Sequence, residues 1–222
     1  MNFHIVILSK SPANFIACLK GLFLRQSALD PSQIIVVDDG LGEGARKLFP
    51  KVRYLDPPKP FIFSRNVNLA AKAAESDIML IGDDVILESP DGLSSLSKAV
   101  RIREDIGVCS PAIIGTAHPH QAHQRTPQSL RVVDKNLAFV SVYIKRSTFA
   151  TVGYMDESFV GYGYDDDDYC VRVRNAGLHT AVYDNCIVTH RIEMSCFRKI
   201  NNEKFMQMYR DNEKLYREKW KI

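Results

Sequence analysis

No run of 18 apolar residues occurs in this 222-residue chain, so nothing in it reads as a membrane span. The opening MNFHIVILSK lacks a basic n-region and holds too short an apolar run for a secretory leader. Cysteine is sparse. Cys18, Cys109, Cys170, Cys186 and Cys196 are odd in number and never spaced C-x-x-C. That argues against a disulfide framework and fits a reducing compartment, so a cytoplasmic location is expected. Charge of one sign is missing too: the net charge is +3, with only a mild basic excess towards the end, which gives no footing for nucleic acid. Repeats, low-complexity tracts and flexible linkers are absent. With 45% hydrophobic residues the chain has enough apolar material for a sizeable core, and one domain over 1–222 is expected.

What is present alternates. FHIVIL (Phe3–Leu8), QIIVV (Gln33–Val37), KVRYL (Lys51–Leu55) and DIMLI (Asp77–Ile81) read as short buried strands. Helical spacing runs from Pro12 to Gln26, and SRNVNLAAKAAE reads as a helix with Ser64 as N-cap. Strand–helix–strand alternation predicts an α/β fold with a mixed, mostly parallel sheet flanked by helices. Further on, the pattern predicts a helix over Leu93–Arg103, strands over Gly107–Ile114 and Leu137–Arg146, and a short helix over Arg146–Val152. A helix over Asp166–Ala176 closed by Gly177, two short strands (HTAVYD and CIVTH) and an amphipathic helix over Lys199–Lys221 follow. Gly115–Arg131 is polar and reads as a long loop, a candidate lid.

Ligands of such sheets sit beyond the carboxyl ends of the strands. Three of those ends are polar here: SKS, DDG and GDD. Asp83 and Asp84 in IGDDVIL cannot both ionise cheaply beside a buried strand without a cation or donors, and a hard divalent cation is an economical partner. An Asp-rich turn is an equally simple reading. Asp38 in VVDDG suits either a ligand or a turn. Arg65 sits at a helix start, where anions are attracted, though a surface arginine is the blander reading. GYGYDDDDY places four carboxylates side by side at a predicted helix start. They form either a solvated turn or a reactive group. His190 follows the apolar CIV. His118, His120 and His123 lie in the long loop with no thiolate or carboxylate nearby, which disfavours zinc. Lys204, Arg210, Lys214, Arg217, Lys219 and Lys221 leave peripheral membrane contact open for the last helix. Glu203, Asp211, Glu213 and Glu218 interrupt that face, so packing on the domain is expected.

In order, IIVVDDG, SRNVNLA, IGDDV, VGYMDESFVGYGYDDDDYCVRVRNAG and VTHRIEMS resemble the inverting family 2 glycosyltransferases of GT-A fold, and they cover most of the chain. The long stretch is also similar to the acceptor-side acidic motif of β-1,4-galactosyltransferases. Three positions depart from the pattern: Gly82 for Asp or Asn, Asp165 for Glu, and Leu41 for Ser after DDG. The resemblance implies a Rossmann-like nucleotide-sugar half over about 1–88, an acceptor and catalytic half over about 89–198, and a C-terminal helix over 199–222. It implies a metal-dependent, inverting transfer from a nucleotide-diphosphate sugar, a UDP-sugar favoured, to a carbohydrate or other hydroxyl acceptor. Ser9, Asp38, Arg65 and Asp83 would then bind the donor, and Asp84 and His190 would hold Mn²⁺ or Mg²⁺. Tyr162, Gly163 and Tyr164 would meet the acceptor, Asp165 would hold its hydroxyls, and Asp166 would be the base. A sugar nucleotidyltransferase is an alternative, disfavoured because its Gly-rich basic loop is replaced by SKSP after the first strand. A non-catalytic nucleotide-sugar or glycan-binding module is another.

Overall fold

The computed structural model describes residues 2–161, 163–195 and 202–222. In chain order the elements are β1 (Phe3–Ser9), α1 (Pro12–Arg25), β2 (Ile34–Asp38), α2 (Gly42–Leu48), β3 (Arg53–Leu55), α3 (Phe63–Ala74), β4 (Asp77–Gly82) and β5 (Val85–Leu87). Then come α4 (Gly92–Arg101), β6 (Ile106–Ile114), β7 (Leu130–Val132), β8 (Ser141–Ile144), α5 (Arg146–Val152), α6 (Asp165–Asn175), β9 (His179–His190) and α7 (Asn202–Trp220). They form one mixed sheet of order β3-β2-β1-β4-β8-β6-β9-β5, with β7 added beside β9.

The first four strands of that order are mutually parallel. The sheet changes direction at β8, which runs antiparallel to both β4 and β6. Successive side chains of a strand face opposite sides, and the two cores follow that period. Ile5, Ile7 and Val36 pack with Phe15, Leu19 and Leu96 of α1 and α4 on one face. Val6, Ile35 and Val37 pack with Val67, Ala71, Tyr169 and Val173 of α3 and α6 on the other. Continuous β-branched runs are therefore what a sheet covered on both faces needs.

Local chemistry explains most boundaries. Ser11 caps α1, accepting from the Asn14 amide, with Pro12 at the first helical position. Gly177, at φ +77°, follows α6 as expected for a left-handed C-terminal residue.

Several expectations are corrected. Ser64 is not the N-cap of α3. The helix begins one residue earlier, after Ile62, and Ser64 is fully buried inside its first turn. The stretch read as a strand over Leu137–Arg146 pairs only over Ser141–Ile144, because the backbone before it turns to meet other groups. HTAVYD and CIVTH form one strand, β9, whose register against β6 shifts between Pro111 and Ala112. GEGARKL, for which the sequence signalled no element, folds into α2. The last helix is described from Asn202, and its expected start at 199–201 lies outside the described residues. Among the described residues no helix is long and apolar enough to cross a membrane.

Candidate functional site

Parallel pairing brings the polar strand ends to one edge. Ser9 is in register with Asp38, and Leu8 with Gly82. Ser9 is buried, and its Oγ donates to Asp83 Oδ2 at 2.5 Å. Asn14 Nδ2, from the first turn of α1, donates to Asp83 Oδ1 at 3.4 Å. Burial pushes Asp83 above the ordinary carboxylate range; the Ser9 bond opposes this, and the neighbouring Asp84 charge adds to it. Asp84 turns the other way. Its Oδ2 lies 3.5 Å from His190 Nε2. The pairing of Val85 with His190 makes that approach, so the short strand β5, missed in the sequence, assembles the pair. A Cβ built on Gly82 would lie 2.7 Å from Asp84 Oδ1 and 3.3 Å from the Val140 carbonyl. Glycine at this departure from the resembled pattern thus leaves room for the Asp84 carboxylate.

Asp38 is enclosed by its own loop. Oδ1 accepts from the Gly40 amide at 2.8 Å and the Leu41 amide at 2.6 Å, and Oδ2 accepts from Arg46 Nε at 2.5 Å. Burial alone would raise this carboxyl, but these donors hold it below its ordinary value. Arg46 also pairs with Asp56 and lies over the Tyr54 ring at 5.3 Å. Beside them is a cleft of about 340 Å³ lined by Asp38, Gly40, Arg46, Asp56, Pro57 and Lys59, among others. Arg65 lies next to this region but is turned into the chain. Its guanidinium donates to the Pro58 carbonyl at 2.6 Å and to that of Pro60, bracing the turn below the cleft where the sequence suggested an anion contact.

The four acids of the run separate by environment. Asp168 is fully buried. Its Oδ1 accepts from Lys219 Nζ at 2.8 Å and Trp220 Nε1 at 3.0 Å, and Arg172 stands 3.9 Å from Oδ2. Asp167 is raised by burial, opposed by a bond from Asn136 and the charges of His118 and Arg174. Asp165 and Asp166 form no salt bridge among the described residues. They accept only from backbone amides: Asp165 Oδ1 from the Asp166 N–H at 3.1 Å, Asp166 Oδ1 from the Asp167 N–H at 2.9 Å, and Asp166 Oδ2 from the Phe139 N–H at 3.1 Å. Burial raises both, to about 6 for Asp165 and well above the ordinary value for Asp166, where the charges of Asp165 and Asp167 add to the effect.

One backbone–backbone bond and one amide–carboxylate bond tie this run to the strand-end acids. The Gly82 amide donates to the Val140 carbonyl at 2.9 Å, and the adjoining Phe139 amide donates to Asp166. Asp166 and the Gly82–Asp84 turn are therefore fastened to consecutive residues of one short segment. That segment read as strand in the sequence, and no residue type in it signals this role.

The remaining acceptor-side expectations fall differently. Tyr162 lies outside the described residues. Gly163, at φ +91°, faces Tyr209, whose ring a Cβ would approach to 3.0 Å, and the Gly163 carbonyl accepts from Asn212 Nδ2 at 3.0 Å. Tyr164 takes φ +69°, and its ring packs against Tyr209 and Tyr216. These positions therefore meet α7. The loop 115–131 is anchored at both ends. Gln121 is fully buried, donating to Ser110 Oγ and the Ala138 carbonyl and accepting from the Ala138 amide. Arg131 makes a two-pronged salt bridge with the buried Asp184. His118 and His120 pack edge to face at 5.7 Å, and His120 Nε2 bonds the Asn136 carbonyl.

Residues 138–198, which hold Asp165, Asp166 and His190, match the family profile of the N-terminal domain of galactosyltransferase. No curated protein matches the chain by sequence. Among solved structures, GalNAc-T7 with UDP, GalNAc and Mn²⁺ superposes with a TM-score of 0.72 at 11% identity, over 86% of this chain and 44% of that one. The mannosyltransferase PcManGT from Pyrobaculum calidifontis, in complex with GDP-Man and Mn²⁺, gives 0.68 at 11% identity, over 88% and 58%. TarS 1-349 from S. aureus gives 0.61 at 15% identity, over 85% and 60%. The chain thus spans about half the length of the structures it matches. Its fold is the GT-A fold of glycosyltransferases, and the segment that carries the acidic run is similar to the galactosyltransferase profile.

Proposed function

We propose that the protein is a metal-dependent glycosyltransferase that moves a sugar, with inversion, from a nucleoside diphosphate to a hydroxyl acceptor, most simply a glycan. The observation that carries this reading is the fastening of two acidic groups to residues 139–140. One is the Asp83–Asp84 turn at the nucleotide edge of the sheet, and the other is Asp166 at the start of α6. The fold, and the sugar-nucleotide complexes of the proteins that share it, support the same class.

Asp84 and His190 suit a divalent cation. They offer one hard oxygen and one imidazole nitrogen 3.5 Å apart. Among the described residues no third acid, histidine or cysteine joins them. Mg²⁺ and Mn²⁺ are commonly held by one or two protein groups while phosphate oxygens and water complete the shell. When bound, the ion neutralises charge on the departing diphosphate. The rest of the work falls to the chain. Asp38, Asp56 and Arg46 wall the cleft proposed for the base, and Arg65 braces the neighbouring turn through the Pro58 and Pro60 carbonyls. Ser9 and Asn14 orient Asp83 for a ribose hydroxyl. Asp165 holds the acceptor, and Asp166 takes its proton as the oxygen attacks. Carboxyls raised towards neutrality are better matched to proton transfer than ordinary ones. A single attack opposite the leaving group inverts the anomeric centre and needs no carboxylate nucleophile.

The test is release of nucleoside diphosphate from UDP-, GDP- and dTDP-sugars with Mn²⁺ and a panel of glycan acceptors. NMR then reads the anomeric configuration of the product. Acceptor-dependent release with inversion is expected. Retention would remove Asp166 as base. Metal-dependent nucleotide binding without turnover would favour a binding module. Pyrophosphate-linked synthesis of the sugar nucleotide would favour a nucleotidyltransferase.

A further inference from the structure

Helix α7 was expected only to pack on the domain, yet its contacts concentrate on the loop that leads into the acidic run. Met208 and Tyr209 fill the spaces that side chains on Gly161 and Gly163 would occupy, and Tyr164 packs between Tyr209 and Tyr216. The polar centre of the contact is Lys219. Its Nζ lies 2.5 Å from Asp156 Oδ2 and 2.8 Å from Asp168 Oδ1, over the Phe159 ring at 5.6 Å. One ammonium therefore joins carboxylates at the two ends of the 156–168 segment. The Asp168 end is fully buried, and among the described residues its Oδ2 has no hydrogen-bond partner. Asp168 lies in the same helical turn as Asp165 and Asp166, and its amide donates to the Tyr164 carbonyl at 2.9 Å.

We propose that Lys219 is a positioning residue for Asp165 and Asp166: its ammonium neutralises the buried Asp168 and so holds the first turn of α6 with Asp168 turned inward and these two carboxylates in place. This rests on the reading of Asp166 as the base. The physical reason is the intolerance of a buried carboxylate to losing its cation. Without Lys219 the cation left beside Asp168 among the described residues is Arg172, at 3.9 Å. Asp168 then turns towards Arg172 or towards water, and either movement rotates the turn that carries Asp165 and Asp166. A displacement of about 1 Å at a reacting group can cost on the order of 10²-fold in rate.

The experiment compares the parent with Lys219→Met, Lys219→Arg, and Lys219→Met combined with Asp168→Asn. Three quantities are read: Mn²⁺-dependent UDP and GDP binding, kcat for transfer, and amide exchange over residues 165–168. Lys219→Met is expected to bind nucleotide like the parent, lose roughly 10²-fold in kcat, and exchange faster at 165–168. The arginine variant should recover most of the rate. So should the double variant, because Asp168→Asn removes the stranded charge and leaves a carbonyl oxygen that still accepts from Trp220. A Lys219→Met protein with parental kcat and parental exchange overturns the proposal. So does one whose rate loss is matched by lost nucleotide binding, since that marks a general structural support. If the parent itself transfers no sugar, the proposed function fails, and exchange at 165–168 decides by itself whether Lys219 holds the turn.

Discussion

Among the acids, position in the fold decides chemistry more than residue type does. Asp167 and Asp168 are tied to neighbouring side chains, whereas among the described residues Asp165 and Asp166 meet only backbone donors. Asp166→Asn keeps the shape but cannot take a proton, so transfer should fall by about 10²–10⁴-fold while Mn²⁺-dependent nucleotide binding persists. A parental initial rate at saturating donor would remove the base from Asp166. Asp165 gives a second readout. Its folded value of about 6 lies above the ordinary carboxylate value of about 3.9, so between them the folded state holds a proton that the unfolded chain releases. Its contribution to stability is most favourable below pH 4 and is lost as pH rises to about 6. Asp165→Asn should therefore melt higher than the parent at pH 7 and no higher at pH 4, in thermal melts on matched buffers. At the metal pair, Asp84→Ala should abolish the effect of EDTA on nucleotide affinity, and His190→Ala should weaken it. Titration calorimetry showing an unchanged EDTA effect in the Asp84 variant would refute the metal role.

At the scale of elements, the loop 115–131 behaves differently from a free lid. Its polar composition, with three histidines, suggested mobility, yet Gln121 is buried with both ends of its amide engaged, and the His123 amide donates to the Ile113 carbonyl. Hydrogen exchange should find the His123 amide slow without ligand, and Arg125 and Thr126 fast. Uniformly fast exchange over 118–123 would contradict the anchoring. Gln121→Ala strands the part-buried Ala138 amide and carbonyl, a loss of at most about 1–3 kcal/mol for each group left unpaired. Denaturant unfolding measures it. Asn136, in the segment after β7, bonds His120 of this loop and Arg174 and lies against Asp167, so damage to the loop should reach the acidic run.

Over the whole molecule, the strand-end acids lie along one sheet with cores on both faces, and α6, which carries the acidic run, packs into one of those cores through Tyr169 and Val173. Nucleotide binding to the folded state alone should therefore raise the melting temperature of the whole chain. At about 100 times Kd the gain is about 2.7 kcal/mol, or roughly 5–10 °C for a domain of this size. A thermal shift with UDP or GDP should appear with Mn²⁺ and vanish with EDTA. A shift independent of metal would separate nucleotide binding from Asp84 and His190.

The sequence by itself determined the parallel β1, β2 and β4 and their order of polar ends, because β-branched runs stopped by Asp, Gly and Ser are local signals. It also determined the start of α1, the end of α6 and the place of the acidic run, since caps, glycines and strand periods act over a few residues. Only the tertiary structure decided which carboxylates of GYGYDDDDY face inward. Asp168 is turned in by Lys219 and Trp220, and Asp166 is held by the amide of Phe139, which precedes it by 27 residues. It likewise gave Asp38 to Arg46 through the unforeseen α2, turned Arg65 onto its own loop, and set His190 beside Asp84 through the pairing of β5 with β9. Those outcomes depend on groups brought together across the fold, where burial makes each buried charge find a partner, and the spacing of neighbours along the chain carries no record of that choice.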